Sequence, residues 1–278
     1  MRKYALAFLI VSLVMSKVDA QQHQLVKKWE TDTLLKVPES VLFDETNKVL
    51  YVANIDGQPG EKDGKGSIGK VGLDGKIVKV DWISGLNAPK GMGIYQGILY
   101  VADLEELAVI DIKSGMITKR IPVIGAKFLN DVSVDNKGVV YVSDSRTRKV
   151  HRVEKGTVST ILDSMSLKGP NGVLAHRDNF YVLDAGTMYK METDKRLTKM
   201  VEGMEGGTDG IENVTGNEFI VSCWGGVIYY VKGDGSKEKL LDTREQKINS
   251  ADIGYDAKNR IVYVPTFWKN SVVAYEVK

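Results

Sequence analysis

One short β-rich phrase recurs six times, and this recurrence constrains the chain more than any other feature. It appears first as Val49-Leu50-Tyr51-Val52-Ala53-Asn54, then as Ile98-Leu99-Tyr100-Val101-Ala102-Asp103 and Val139-Val140-Tyr141-Val142-Ser143-Asp144. It returns as Asn179-Phe180-Tyr181-Val182-Leu183-Asp184, Glu218-Phe219-Ile220-Val221-Ser222-Cys223 and Arg260-Ile261-Val262-Tyr263-Val264-Pro265. Aligned on Tyr51, Tyr100, Tyr141, Tyr181, Ile220 and Tyr263, the spacings are 49, 41, 40, 39 and 43 residues. Each unit holds an apolar strand, a turn, the Tyr-Val strand, an alternating strand, a tight turn such as Asp74-Gly75 or Lys155-Gly156, and a polar outer strand. Helical periodicity is absent. A period near 40 residues built only from strands predicts an all-β fold, a six-bladed β-propeller with four antiparallel strands per blade. The sixth unit ends at its third strand, Val272 to Val277, while a spare strand at about Gln24 to Glu30 precedes the first. Pairing the two is expected to close the ring and remove an open sheet edge.

Ahead of the repeats, Arg2 and Lys3, an apolar run from Tyr4 through Met15, and the small residues Val18 and Ala20 read as a signal peptide over residues 1–20. The mature chain is then expected to be one propeller domain, residues 21–278, exported to the periplasm or secreted. Taking Arg2, Lys3 and Lys17 from the 38 basic residues, and Asp19 from the 36 acidic ones, leaves 35 of each. A formally neutral chain has no basic field for a phosphate backbone, so nucleic acid is not an expected partner. No further apolar run is long enough for a transmembrane segment. A small-molecule substrate and a monomeric state are expected. Cys223 is the single cysteine, so no internal disulfide forms, and it reads more simply as a small buried residue than as a nucleophile.

A repeat supplies its own control. Asn54, Asp103, Asp144 and Asp184 follow the Tyr-Val strand with little change of type, as turn-shaping scaffold residues should. The starts of the innermost strands differ. Ten to twelve residues before the markers lie Glu39, Lys90, Asn130, Asn171 and Asp209, and the sixth unit offers Ser250 and Asp252. Taken singly, Asn130-Asp131 and Asn171-Gly172 are turn formers, Glu39 is a loop acid and Asp209-Gly210 is a hinge. Taken together at one phase, two carboxylates and two amides from four blades form a ring of hard oxygen donors suited to Ca²⁺ at the channel mouth.

At these residues the sequence resembles the gluconolactonase, senescence marker protein and regucalcin family, related to the paraoxonase and diisopropyl fluorophosphatase propellers. The matching pieces are Pro38-Glu39-Ser40, Leu129-Asn130-Asp131-Val132, Gly169-Pro170-Asn171-Gly172 and Thr208-Asp209-Gly210-Ile211, in blade order along the whole mature chain. The resemblance implies one catalytic divalent metal, usually calcium, and hydrolysis of lactones or related esters and phosphoesters. It makes Glu39, Asn130, Asn171 and Asp209 the metal ligands, with Asp209 also the catalytic carboxylate. Lys90, Asp131 and Asp252 are candidate substrate contacts. Lys90 departs from the family pattern, and it either meets a substrate carboxylate or pairs with Glu39 or Asp252 and displaces the metal. Trp224, Phe267 and Trp268 either wall the substrate pocket or pack loops onto the rim. His23, His151 and His176 fall away from the mouth, so no histidine base is expected there. The alternative to a calcium-dependent lactonase or esterase is a non-catalytic propeller that binds a ligand or an exported protein.

Overall fold

The computed structural model describes residues 23–278; the expected signal peptide and the Gln21 start lie outside the described residues. Among the described residues, six four-stranded antiparallel sheets follow one another around an axis, and the only helix is a single 3-10 turn, Phe267–Lys269. The innermost strands are Pro38–Asp44, Pro89–Tyr95, Leu129–Val134, Pro170–His176, Thr208–Thr215 and Gly254–Asp256, which define blades 1 to 6.

Alternation along the Tyr-Val strand explains why a ring forms. Successive side chains of a strand point to opposite faces. Tyr51 and Ala53 therefore pack toward blade 2, with Leu99 and Val101, whereas Leu50 and Val52 pack toward blade 6, with Tyr263 and Ala274. Both faces of each sheet are covered by its neighbours, so the strands carry near-continuous apolar runs. Four further cores repeat this arrangement between the other successive blades. A fully buried side chain of this size contributes about 1.5–3 kcal/mol, and the gain is repeated at every blade junction.

The ring closes as the sequence predicts. Leu25–Glu30 lies antiparallel to Val272–Val277 as the fourth strand of blade 6, in the register Leu25↔Val277 to Glu30↔Val273 with one bulge between Lys27 and Trp29. Thr31 and Val272 exchange hydrogen bonds at the upper end of this seam, and Trp29 Nε1 donates to Leu73 O of blade 1.

Candidate functional site

The functional side chains are aimed by a repeated irregularity of the innermost strands. In five blades the ladder starts with one pair, Pro38↔Asn54, Pro89↔Asp103, Leu129↔Asp144, Pro170↔Asp184 or Thr208↔Cys223. It then slips before resuming at Ser40, Met92, Val132, Val173 or Ile211. Glu39, Lys90, Asn130, Asn171 and Asp209 stand at the first position of that slip, where a bulge turns a side chain out of the pleat. In blade 6 the equivalent place falls to Ala251; the next residue, Asp252, stands level with Asp131 and Ser40, and its backbone bonds to Glu39 O and Val41 N and so joins the last blade to the first. Blades approach closely here. A Cβ added to Gly210 would lie 2.6 Å from Asp252 Oδ1, and one added to Gly172 would strike Asp209 O.

The residues after the Tyr-Val strands hold these strand starts in place. The Asp103 carboxylate accepts the N–H groups of Asn87 and Ala88, Asp144 those of Lys127 and Phe128, and Asp184 those of Lys168 and Gly169. Each clamped dipeptide lies just ahead of a ring residue: Lys90, Asn130 and Asn171 respectively. These acids are scaffold, as their constancy across the repeat suggests.

Glu39, Lys90, Asn130, Asp209 and Asp252 are buried, and Asn171 is half-buried. Asn171 Nδ2 donates to Asp209 Oδ1 at 2.9 Å, and Asn130 Nδ2 donates to Ser145 Oγ at 3.0 Å. Both amides are thus oriented by their nitrogens, which leaves their oxygens for other partners. Glu39 Oε2 and Asn171 Oδ1 are buried oxygens with no hydrogen-bond partner. A buried acceptor left in this state costs about 1–3 kcal/mol. Burial pushes the Glu39 carboxyl well above the usual range, with Asp131 adding to the rise and Lys90 opposing it. Burial also raises Asp209 and Asp252, and carboxylate repulsion raises both further. The pocket therefore favours a proton or a cation beside these acids.

Lys90 spends its ammonium first on backbone carbonyls. Nζ donates to Pro59 O at 2.8 Å and Ala88 O at 2.9 Å and sits 4.4 Å from the centre of the Phe128 ring. It acts on Glu39 through space and ties the loop of residues 55–65 across the mouth. Burial holds its ammonium below the ordinary lysine range. Asp131 is likewise committed: its oxygens accept the N–H groups of Val132 and Val173, binding blade 3 to blade 4. Asp252 accepts Ser40 Oγ at 2.6 Å. Together with Glu212, Asp131 and Asp252 face a channel cavity of about 280 Å³ beneath the ring. Burial pushes the Glu212 carboxyl up to about 8, with a contribution from Asp131.

Above the ring, Phe267 is buried in a collar with Ile55, Ala88, Leu104 and Ala251, while Trp224 and Trp268 stand edge-on to it and are 42% and 46% exposed. The two tryptophans line the rim and the phenylalanine packs it. His151 is buried in the third strand of blade 3 against Thr160, and His176 ends the inner strand of blade 4 at the far end of the channel. Cys223 is buried, with its thiol pushed up to about 12 by burial, which disfavours the thiolate. Sequence reading missed Ser145, which orients Asn130, and also Phe128, Arg146 and Glu212. Only Glu212 left a signal. The corresponding inner-strand positions of the other blades hold Leu42, Gly93, Ser133, Leu174 and Gly254.

The fold and this ring define a six-bladed β-propeller with a polar, convergent channel mouth. Three solved structures similar to the chain share that architecture. A chain of a nidogen/laminin complex is 17% identical with a TM-score of 0.65, the match covering 79% of this chain and 84% of that one. A structural genomics protein of unknown function from Bacteroides thetaiotaomicron is 15% identical with a TM-score of 0.66, over 93% and 77% of the two chains. A virginiamycin B lyase from Staphylococcus aureus is 11% identical with a TM-score of 0.66, over 92% and 99%. Likeness at such identities shows the fold alone. No protein-family model matches the sequence, and no curated protein does. No helix among the described residues is long and apolar enough to cross a membrane.

Proposed function

We propose that the chain is an exported, calcium-dependent hydrolase of lactone or ester bonds in small molecules. The observation that carries this reading is the pair of partnerless buried oxygens, Glu39 Oε2 and Asn171 Oδ1, at equivalent positions of blades 1 and 4, which face each other across the channel. With Asn130 Oδ1 and the Asp209 carboxylate they offer hard oxygens from four blades, which suits a divalent cation of flexible coordination. Among the described residues no three His, Cys, Asp or Glu side chains gather closely enough to hold a metal by themselves, so the two amides are needed for the set. Calcium bound there would polarise the ester carbonyl and stabilise negative charge on its oxygen.

The chain's own groups supply the remainder. The Asn171 amide fixes Asp209, and the Asp209 carboxylate takes a proton from the attacking water or attacks the acyl carbon itself. Beside a bound cation this carboxylate would be a weak base, so its placement by Asn171 must supply much of the rate. The Phe267 collar limits water around the ring, which strengthens each charge interaction within it. Metal analysis of purified protein, thermal shift with calcium or chelator, and a lactone panel test the reading together. Bound calcium and activity should disappear in parallel in Asp209→Asn and Glu39→Gln. Protein that neither holds nor responds to a divalent ion would refute it.

A second reading, a non-catalytic propeller that binds a ligand or another protein on its upper face, is favoured by a separate observation. Leu34, Ile124, Met165, Trp224 and Trp268 all expose apolar surface on loops at the mouth end. Pull-down on a surface carrying the intact chain, compared with a variant bearing Ser at Leu34, Ile124 and Met165, distinguishes it from a small-molecule enzyme.

A further inference from the structure

Charge is not spread evenly around the mouth. The acids Asp209 and Glu39 occupy blades 5 and 1 at the ring level, with Ala251 of blade 6 between them and Asp252 one residue below. The facing blades hold Lys90 in blade 2, and Asn130 and Asn171 in blades 3 and 4. A second cation joins that side. Arg146 follows Ser145, the residue that orients Asn130, and its guanidinium carbon lies 5.2 Å from the centre of the Phe128 ring, the ring that also carries Lys90. A Cβ on Gly60 would stand 3.7 Å from Arg146 Nη2, so the side chain leans inward against the loop that Lys90 anchors.

The two cations differ in what they have left to give. Lys90 is buried and holds two backbone carbonyls. Arg146 is exposed, and its guanidinium has no hydrogen-bond or ion-pair partner among the described residues. A planar fork resting on an aromatic face, with free N–H donors, is the geometry that reads a carboxylate bidentately.

We propose that Arg146 is the anion-recognising side chain of this mouth, and that the ligand it selects is a small hydroxylated molecule carrying a carboxylate at the end away from Glu39 and Asp209. For a lactone substrate, this assigns the class whose ring-opened form is a dicarboxylate, an assignment that rests on the hydrolase reading above. The acidic half would repel the anionic end and the Arg146 half would receive it, so the molecule enters in one orientation.

Two measurements test the assignment separately from the chemistry. In the first, calorimetric titration with D-glucarate and with the uncharged sorbitol, each in calcium and in chelator, is run on the full chain and on Arg146→Met and Arg146→Lys. Glucarate should bind and sorbitol should not. Arg146→Met should weaken glucarate about tenfold and Arg146→Lys less, as expected for loss of a charged fork. Equal affinity in Arg146→Met, no glucarate binding at millimolar concentration, or binding abolished by chelator yet indifferent to Arg146 overturns the proposal. In the second, hydrolysis of glucaro-1,4-lactone is compared with that of the neutral glucono-1,5-lactone. Arg146→Met should raise KM for the charged lactone and leave kcat unchanged. If neither lactone is hydrolysed, the hydrolase reading falls while the titration still decides the role of Arg146. If both are hydrolysed with the same preference in the variant, the role of Arg146 falls and the hydrolase stands.

Discussion

Two sets of buried polar side chains lie almost side by side at the upper end of the propeller, and they are treated in opposite ways. The clamp residues are fully engaged: Asp144 alone accepts the N–H groups of Lys127, Phe128, Arg146 and Thr147. The ring residues are not. Glu39 Oε2 and Asn171 Oδ1 have no partner, and Asp209 is raised by burial and by repulsion from Glu39 and Asp131. A buried polar group whose lone pairs are all met belongs to the scaffold. One whose lone pairs are left over costs stability that the scaffold must offset, a pattern expected of a binding site.

That contrast can be broken experimentally at several levels. The largest effect should come from the scaffold as a whole. Deleting residues 21–32 removes the fourth strand of blade 6 and leaves Val272–Val277 as an open edge; the melting temperature should fall by roughly ten degrees or more. An unchanged melt would mean the seam carries little of the fold. Next comes a single clamp. Asp144→Ala abandons four N–H groups and should cost about 3 kcal/mol in chemical denaturation, with or without calcium.

The channel acid Glu212 should behave in the reverse sense. Its folded carboxyl is raised from the ordinary 4.5 to about 8. Below pH 4.5 it is neutral in both folded and unfolded chains, and Glu212→Gln should be silent. As pH climbs toward 8 the unfolded chain ionises first, so the wild type loses stability that the variant keeps. The variant's advantage should level off above pH 8 at about 2 kcal/mol, less than the full shift implies because the cavity holds room for water. A flat difference between pH 5 and 9 would show that this carboxyl ionises normally. The smallest effect separates ring from clamp directly. Asp209→Asn should raise stability in chelator by about 1 kcal/mol, because it removes a repelled charge, and should abolish stabilisation by calcium. A loss like that of Asp144→Ala would place Asp209 with the scaffold.

Much of this contrast was legible in the repeat. Asp103, Asp144 and Asp184 keep one chemical type at one phase, whereas the ring position changes from Glu39 to Lys90 to Asn130. Phase also gave the blade count, the strand order and the closing strand. The bulge did not show, because a ladder slip is a property of two strands and has no residue signature of its own. The fate of Lys90 was hidden for a related reason. Its partners, Pro59 O and Ala88 O, are backbone atoms, one of them in a loop 31 residues away. The commitment of Asp131 to Val173 N depends on how closely blades 3 and 4 approach. Phe267 reads as a loop aromatic like Trp268, yet it is 3% exposed because its backbone adopts a positive φ of 52° that turns it inward.

The seam of blade 6 has a consequence for how the molecule comes into being. Among the described residues Leu25 is one of the first to be made and its partner Val277 one of the last. Five sheets can assemble as the polypeptide emerges, each from neighbouring segments, but the circle stays ajar until Val272–Val277 has been made. Locking therefore joins two segments far apart in sequence, and contacts of that kind form slowly because a long loop must close first.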